Sequence, residues 1–273
     1  MKTKTSFLLG GLTVSFLAGI FFVGSRWCKY IRRQQRLCPV VETRVPIAEL
    51  SSSSLEKLQD LARYPFFFLG KGKQAIAYES MDGRYVLKFF KHSDRPEKKE
   101  KLASMIQGTE LAYSLLAERT GIVLCSLTPL SSSLPVTLVS RKGKLDRVDL
   151  NRTIFILQKK ATPLRRTIMT YVALGNMEKA KQCIRSLFQL LSFCRKNHVL
   201  DQDGALIRNE NIGFIDDDAV LIDTGKLAWY ENPQRHTLHD LHRLKPFESW
   251  LSLATPELLS TFDECKRQYG ERI

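Results

Sequence analysis

The sequence predicts an α+β fold in two lobes, a five-stranded lobe followed by a mostly helical one, preceded by one transmembrane helix. Three observations carry this. An uncharged run of about 19 residues, Ser6 to Gly24, stands near the start of the chain. Short apolar runs bounded by Gly and Asp-Gly fill residues 66–158. Beyond them, apolar residues recur at three- and four-residue steps. The 273 residues are 44% hydrophobic and 26% charged, which excludes a disordered, collagen-like or multi-span membrane chain.

The net charge is +14, from 42 Lys and Arg against 28 Asp and Glu. Half of it lies in residues 1–36, where seven basic residues face no acid. The rest is only mildly basic. It shows neither zinc-finger spacing nor aromatic-basic interleaving, so no nucleic-acid partner is expected. The six Cys residues, at 28, 38, 125, 183, 194 and 265, form no C-x-x-C pair. They read as reduced, cytosolic thiols rather than disulfide or zinc partners.

Residues 1–25 are expected to form a membrane anchor. At 1.5 Å per residue, Ser6 to Gly24 spans ~28 Å, the thickness of a hydrocarbon core. The alternative is a cleaved signal peptide, but the run exceeds the usual apolar region and no small-x-small site precedes Ser25. Trp27 and Tyr30 suit the interfacial belt. Arg26, Lys29, Arg32, Arg33 and Arg36 outweigh Lys2 and Lys4, which places the C-terminal domain in the cytoplasm. Residues 26–60 are then a basic juxtamembrane segment and linker. Ser51 to Ser54 offer an N-cap for a helix around Leu55 to Arg63.

The folded domain covers residues 61–273, with lobes at 61–158 and 159–273. Strands are expected at Phe66 to Leu69, Ala75 to Glu79 and Tyr85 to Phe90, the last two joined by a Met81-Asp82-Gly83-Arg84 turn. Pro96 to Arg119 is helical, with Leu102, Met105, Ile106, Leu111, Leu115 and Leu116 in register. Val136 to Arg141 and Thr153 to Gln158 complete the five strands, separated by a polar Lys-Gly-Lys-Leu-Asp stretch. Met177 to Asn197 is a strongly amphipathic helix. Ile212 to Ile215 and Ala219 to Ile222 make a small hairpin around Asp216 to Asp218, and the last fifty residues are mostly helical.

Several residues in this frame carry chemistry. Gly70 and Gly72, with small Ala75 and Ala77 after them, form a loop between two strands. A dinucleotide fingerprint needs a helix there, so that reading fails. Lys88 ends an apolar strand and shares a face with Val86, so it needs an anionic partner. Glu110, on the following helix, is the first choice, with Glu100 and Glu118 as alternatives. Asp201 and Asp203 follow the long helix, then Asn209 and Asn211, then Asp223-Thr224-Gly225. Taken singly, each of these motifs also reads as turn chemistry.

Taken in order, these motifs resemble the protein-kinase-like superfamily over about residues 64–230. The likeness is to a minimal, atypical bacterial-type member, with only fifty residues after Asp223. The resemblance implies a glycine loop (Gly70, Gly72, Ala75) over ATP phosphates, Lys88 as their countercharge and Glu110 as its partner. It implies Asp203 as catalytic base, in an Asp201-Gln202-Asp203 loop that stands for H-R-D. Asp223 would hold Mg²⁺ or Mn²⁺ together with Asn209 or Asn211; a carboxylate and an amide carbonyl are hard oxygen ligands. Asp240, in His239-Asp240-Leu241-His242-Arg243-Leu244, would bond the catalytic loop's backbone or simply begin a solvated helix.

The expected function is a membrane-anchored, cytoplasm-facing kinase that moves the ATP γ-phosphate to an unidentified hydroxyl acceptor. The alternatives are a pseudokinase acting as a tethered scaffold or interaction protein, and an anchored binding protein whose charge pattern imitates the motif.

Overall fold

A computed structural model describes residues 52–72, 75–91, 95–127, 130–202 and 211–271. The apolar run Ser6 to Gly24, and with it the expected anchor, lies outside the described residues. Among these residues no helix is long and apolar enough to cross a membrane.

The chain enters through helix α1 (Ser52–Ala62) and builds strands β1 (Phe66–Lys71), β2 (Ala75–Glu79) and β3 (Tyr85–Phe90) as an antiparallel meander. Helix α2 (Pro96–Leu115) follows, starting from Pro at its first turn. Then come β4 (Ile122–Ser126), β5 (Pro135–Val139), β6 (Leu145–Asp149) and β7 (Phe155–Lys159). These seven strands form one sheet in the order β4-β7-β3-β2-β1-β5-β6. Its pairs are antiparallel except β1–β5, which runs parallel.

The sheet therefore has seven strands rather than the expected five. One addition is β4, launched by Gly121 in a left-handed turn at φ 64°. The other is β6, drawn partly from the stretch read as a polar spacer. That stretch turns at Gly143 (φ 73°) and resumes as an edge strand. Only Val148 of β6 is buried, and its charged neighbours sit at the sheet's rim, where strands tolerate them.

Period-2 alternation divides the sheet into two faces. Leu87, Phe89, Leu124, Phe155 and Leu157 point to one side, where they pack with Leu58 of α1 and with Phe66, Val136, Leu138 and Val148. Phe90, Cys125 and Ile156 point to the other and join the core of the helical half. That half contains α3 (Leu164–Ala173), α4 (Met177–Lys196), α5 (Pro233–Ala254) and α6 (Leu259–Glu271). Asn176 and Asn232 cap α4 and α5 by accepting the N–H of Lys179 and Arg235.

Five short strands line the junction between the halves. β8 (Thr162–Pro163), β10 (Ile212–Ile215) and β11 (Asp218–Leu221) form one small sheet, while β9 (Val199–Asp201) and β12 (Leu227–Trp229) form another. A Cβ on Gly213 would lie 2.6 Å from the Thr162 carbonyl oxygen, so only glycine lets β10 pass so close to the connection between halves. Buried Gln158 ties the halves together, its amide donating to the carbonyls of Thr120 (2.5 Å) and Leu221 (3.2 Å).

Candidate functional site

The β10–β11 hairpin ends where the chemistry was expected. Its register sets Ile212 opposite Leu221, and the Ile222 N–H donates to the Asn211 carbonyl at 2.7 Å. Buried Asn211 and exposed Asp223 thus lie at adjacent strand ends. The Gly225 N–H donates to Asp223 Oδ1 at 3.1 Å, an Asx turn that fixes the carboxylate. Asp203 and Asn209 lie outside the described residues. Of the two asparagines, only Asn211 can be placed beside Asp223.

Lys88 reaches this hairpin from the sheet. It pairs in register with Ala77 and Ile156 and is half-buried. Its Nζ donates to the Ile222 carbonyl at 2.5 Å. Burial pushes its pKa down to about 8, only partly offset by the nearby charge of Asp223. A neutral carbonyl is thus the partner of an ammonium taken substantially out of water.

Glu110 does not complete the expected pair. Among the described residues no ion pair joins it to Lys88, and its charge is felt instead by Cys125 on β4. Cys125 pairs with Ile156, which pairs with Lys88, so the thiol lies two strands from Lys88. Burial pushes the Glu110 carboxyl up and the Cys125 thiol up to about 12.

Helix α2 instead lies directly on the Asp223-Thr224-Gly225 segment. A Cβ on Gly108 would meet the Thr224 carbonyl oxygen at 2.7 Å and both the N and O of Leu227 at 3.0 Å. The next residue, Thr109, places its hydroxyl 3.4 Å from that of Thr224 in a buried contact. Met105 covers Gly225. Lys88, Met105, Thr109, Asp223, Thr224 and Gly225 help line a cavity of about 30 Å³. That is well below the ~300–1,000 Å³ usual for ligand pockets.

The glycine loop reaches the cavity through Ala75. Gly70 pairs with Ala77, Lys71 with Ile76, and the Gly72 N–H donates to the Ala75 carbonyl at 3.0 Å. A Cβ on Gly70 would meet nothing within 4 Å, and one on Gly72 only the Ala75 oxygen at 3.9 Å. Among the described residues nothing packs closely enough on either position to require glycine. Lys91 donates through Nζ to the Gly72 carbonyl and tethers the loop to the end of β3.

Beneath the cleft lies a buried ionic network. Arg243 Nη2 bonds Asp201 Oδ2 at 2.6 Å, and its Nη1 stands 3.4 Å from Asp240 Oδ1. Asp240 also accepts the Tyr269 hydroxyl at 2.7 Å and faces His236 Nδ1 at 3.2 Å. Asp240 is therefore no solvated helix start. His236, rather than Asp240, contacts the strand's backbone, through Nε2 to the Val199 carbonyl at 2.8 Å. Burial alone would raise the Asp240 carboxyl, yet His236 and the other donors hold it at about 2. Burial would lower His236, and the Asp240 carboxylate outweighs that and raises it.

The network joins α5 and α6 to β9, the strand that leads into residues 203–210. Sequence reasoning missed His236, Arg243 and Tyr269 as partners of Asp240. Their i, i+4 and i, i+3 spacing to Asp240 was visible for the first two, whereas Tyr269 arrives from a separate helix.

No family model and no curated protein matches the chain. Among solved structures, it is similar to the co-crystal structure of WbdD with the kinase inhibitor LY294002, at 17% identity and a TM-score of 0.36. The match covers 73% of this chain and 45% of that one, so the chain spans less than half the length of that protein.

Proposed function

We propose that the cleft binds ATP with a divalent cation and that the chain is a kinase-like phosphotransferase acting on a hydroxyl acceptor. The carrying observation is the meeting of Lys88 with Ile222-Asp223, groups 134 and 135 residues apart, in a cavity that Ala75 of the glycine loop also lines. Among the described residues the close partner of this ammonium is a carbonyl, and a phosphate oxygen would match its charge better. The donor set fits the group: Asp223 presents an exposed, turn-fixed carboxylate beside Asn211, and Mg²⁺ takes one or two such ligands plus phosphate and water. In this reading Lys88 balances phosphate charge, Asp223 and Asn211 or Asn209 hold the cation, and Asp203 orients and deprotonates the acceptor.

A second reading, a pseudokinase that serves as a tethered scaffold, has its own support. Lys88 already has a hydrogen-bond acceptor within the chain, no ion pair joins it to Glu110 among the described residues, and the cavity beside it is small. Both readings require membrane attachment only through residues 1–36.

Thermal unfolding with ATP, with and without Mg²⁺ or Mn²⁺, tests the nucleotide site that the first reading requires. Binding at one hundred times Kd adds about 2.7 kcal/mol, a rise of roughly 5–10 °C in a chain of this size. A cation-dependent shift that disappears in Lys88→Met and Asp223→Asn supports the nucleotide site. An equal response in wild type and both variants refutes it.

A further inference from the structure

The β5–β6 hairpin, which the sequence reading divided into a strand and a spacer, presents an unusual surface. Its turn is closed by the Ser140 N–H to the Lys144 carbonyl (2.8 Å) and the Gly143 N–H to the Ser140 carbonyl (2.9 Å). Around this turn Arg141, Lys142 and Lys144 all stand exposed. Behind it, pairing sets Phe67, Val139 and Leu145 in one cross-strand row. Phe67 is 44% exposed and Leu145 64% exposed, although each lies in a strand. Leu69, farther along β1, and Arg147, next on β6, extend the same edge into solvent.

Asp149 accepts the Ser133 hydroxyl and the N–H groups of Leu134 and Asn151, and Glu79 is paired with Lys160. The tip thus sets three exposed basic side chains beside a strip of exposed apolar ones. It is also a protruding hairpin rather than a groove.

We propose that this hairpin docks the domain on an anionic lipid surface. Arg141, Lys142 and Lys144 meet the headgroup phosphates, and Leu145 and Phe67 enter the interface beside them. Charge complementarity selects the anionic surface, and the row of exposed hydrophobes selects a bilayer over a dissolved anion. The proposal does not depend on nucleotide binding in the cleft.

The test uses the full chain carrying Leu145→Trp, reconstituted in vesicles whose acyl chains are brominated. Vesicles of phosphatidylcholine alone are compared with vesicles containing phosphatidylserine. The expected result is additional tryptophan quenching, relative to wild type, only where phosphatidylserine is present, and its loss at high salt. Adding Arg141→Glu, Lys142→Glu and Lys144→Glu should lower the docked-to-free ratio on the order of a hundredfold, since each basic residue near the surface is worth roughly fivefold. These side chains are exposed, so an unchanged melting temperature confirms that the variant is folded. Soluble glycerophosphoserine should leave quenching unchanged, whereas competition by it would assign the tip to a free anion and overturn the proposal. Quenching that is equal in both vesicle types, absent in both, or retained after charge reversal would also overturn it.

Discussion

The Lys88 ammonium donates to the Ile222 carbonyl oxygen at 2.5 Å, one residue short of the Asp223 carboxylate. This contact joins the sheet to the β10–β11 hairpin and holds a charged group substantially out of water. Its consequences can be measured without knowing any acceptor.

Lys88 in the folded chain titrates near 8, below its ordinary 10.5, because burial penalises the charge more than Asp223 supports it. Between those values the unfolded chain binds the extra proton. Stability from this group therefore rises with pH from about 8 to 10.5, and its cost is fully present below 8. Lys88→Met should flatten that rise in urea-unfolding curves taken across the window. An unchanged slope would mean that the ammonium is well solvated.

Asp203→Asn tests the chemistry separately from binding. The variant should keep the cation-dependent ATP shift yet lower phosphoryl transfer, or slow ATP hydrolysis, by ~10²–10⁴-fold, as expected on losing a positioned acid–base group. Labelled ATP with candidate acceptors, the protein itself included, provides the assay. Turnover that survives unchanged would move the role to Asp201, although its ion pair with Arg243 suits it to holding the loop.

Gly108→Ala places a methyl group 2.7 Å from a backbone oxygen in a segment that has no flexible side chain to yield. The expected loss is about 1–3 kcal/mol from overpacking. Because the displaced backbone carries Thr224, next to Asp223, the Mg²⁺-dependent part of any nucleotide shift should fall as well. Gly143→Ala, with open space around it but φ at 73°, is the control: it should cost stability without altering the nucleotide response.

The buried network predicts a window of maximum stability. His236 is raised by Asp240, so its contribution is complete below about 6.5 and is lost as pH climbs through its higher folded value. Asp240 is lowered to about 2, so its contribution is complete above about 3.8 and is lost as pH falls through 2. Tyr269→Phe should cost ~1–3 kcal/mol by removing one donor from a buried carboxylate. Arg243→Met should cost more, ~3–5 kcal/mol, since it removes the buried countercharge of Asp201 and a second cation beside Asp240. Denaturant titrations at pH 5 and 8 would show both effects, and an Arg243→Met cost below that of Tyr269→Phe would contradict the pairing.

Much of this arrangement was legible in the sequence where periodicity and turn residues agreed. The β1–β3 meander, α4 and the β10–β11 hairpin fall within a residue or two of their expected bounds. Ile-Val-Leu-Cys after Gly121 offered a strand signal that was passed over. Leu-Asp-Arg-Val-Asp gave almost none, because an edge strand with one buried residue alternates too weakly. At the site, single residues announced themselves by type, as Lys88 and Asp223 did. Partnership was harder to read. Glu110 satisfied the spacing of an ion pair but forms none with Lys88 among the described residues, and Gly108, two residues before it, lies close against Thr224 and Leu227. Close approach of two backbones leaves no pattern beyond a glycine in a helix.

The parallel pairing of β1 with β5 has a consequence for solubility. Phe66 to Leu69 is the kind of uncharged aromatic segment that seeds cross-β assembly, and without its late neighbour it would be an open sheet edge. The hairpin moves that edge outward to β6, where Asp146, Arg147 and Asp149 discourage a second chain from adding on. Until residues 135–149 have been synthesised and have paired, the Phe66–Leu69 strand remains unguarded. Variants that weaken this hairpin should therefore reveal themselves first as inclusion bodies, before any loss of ligand affinity.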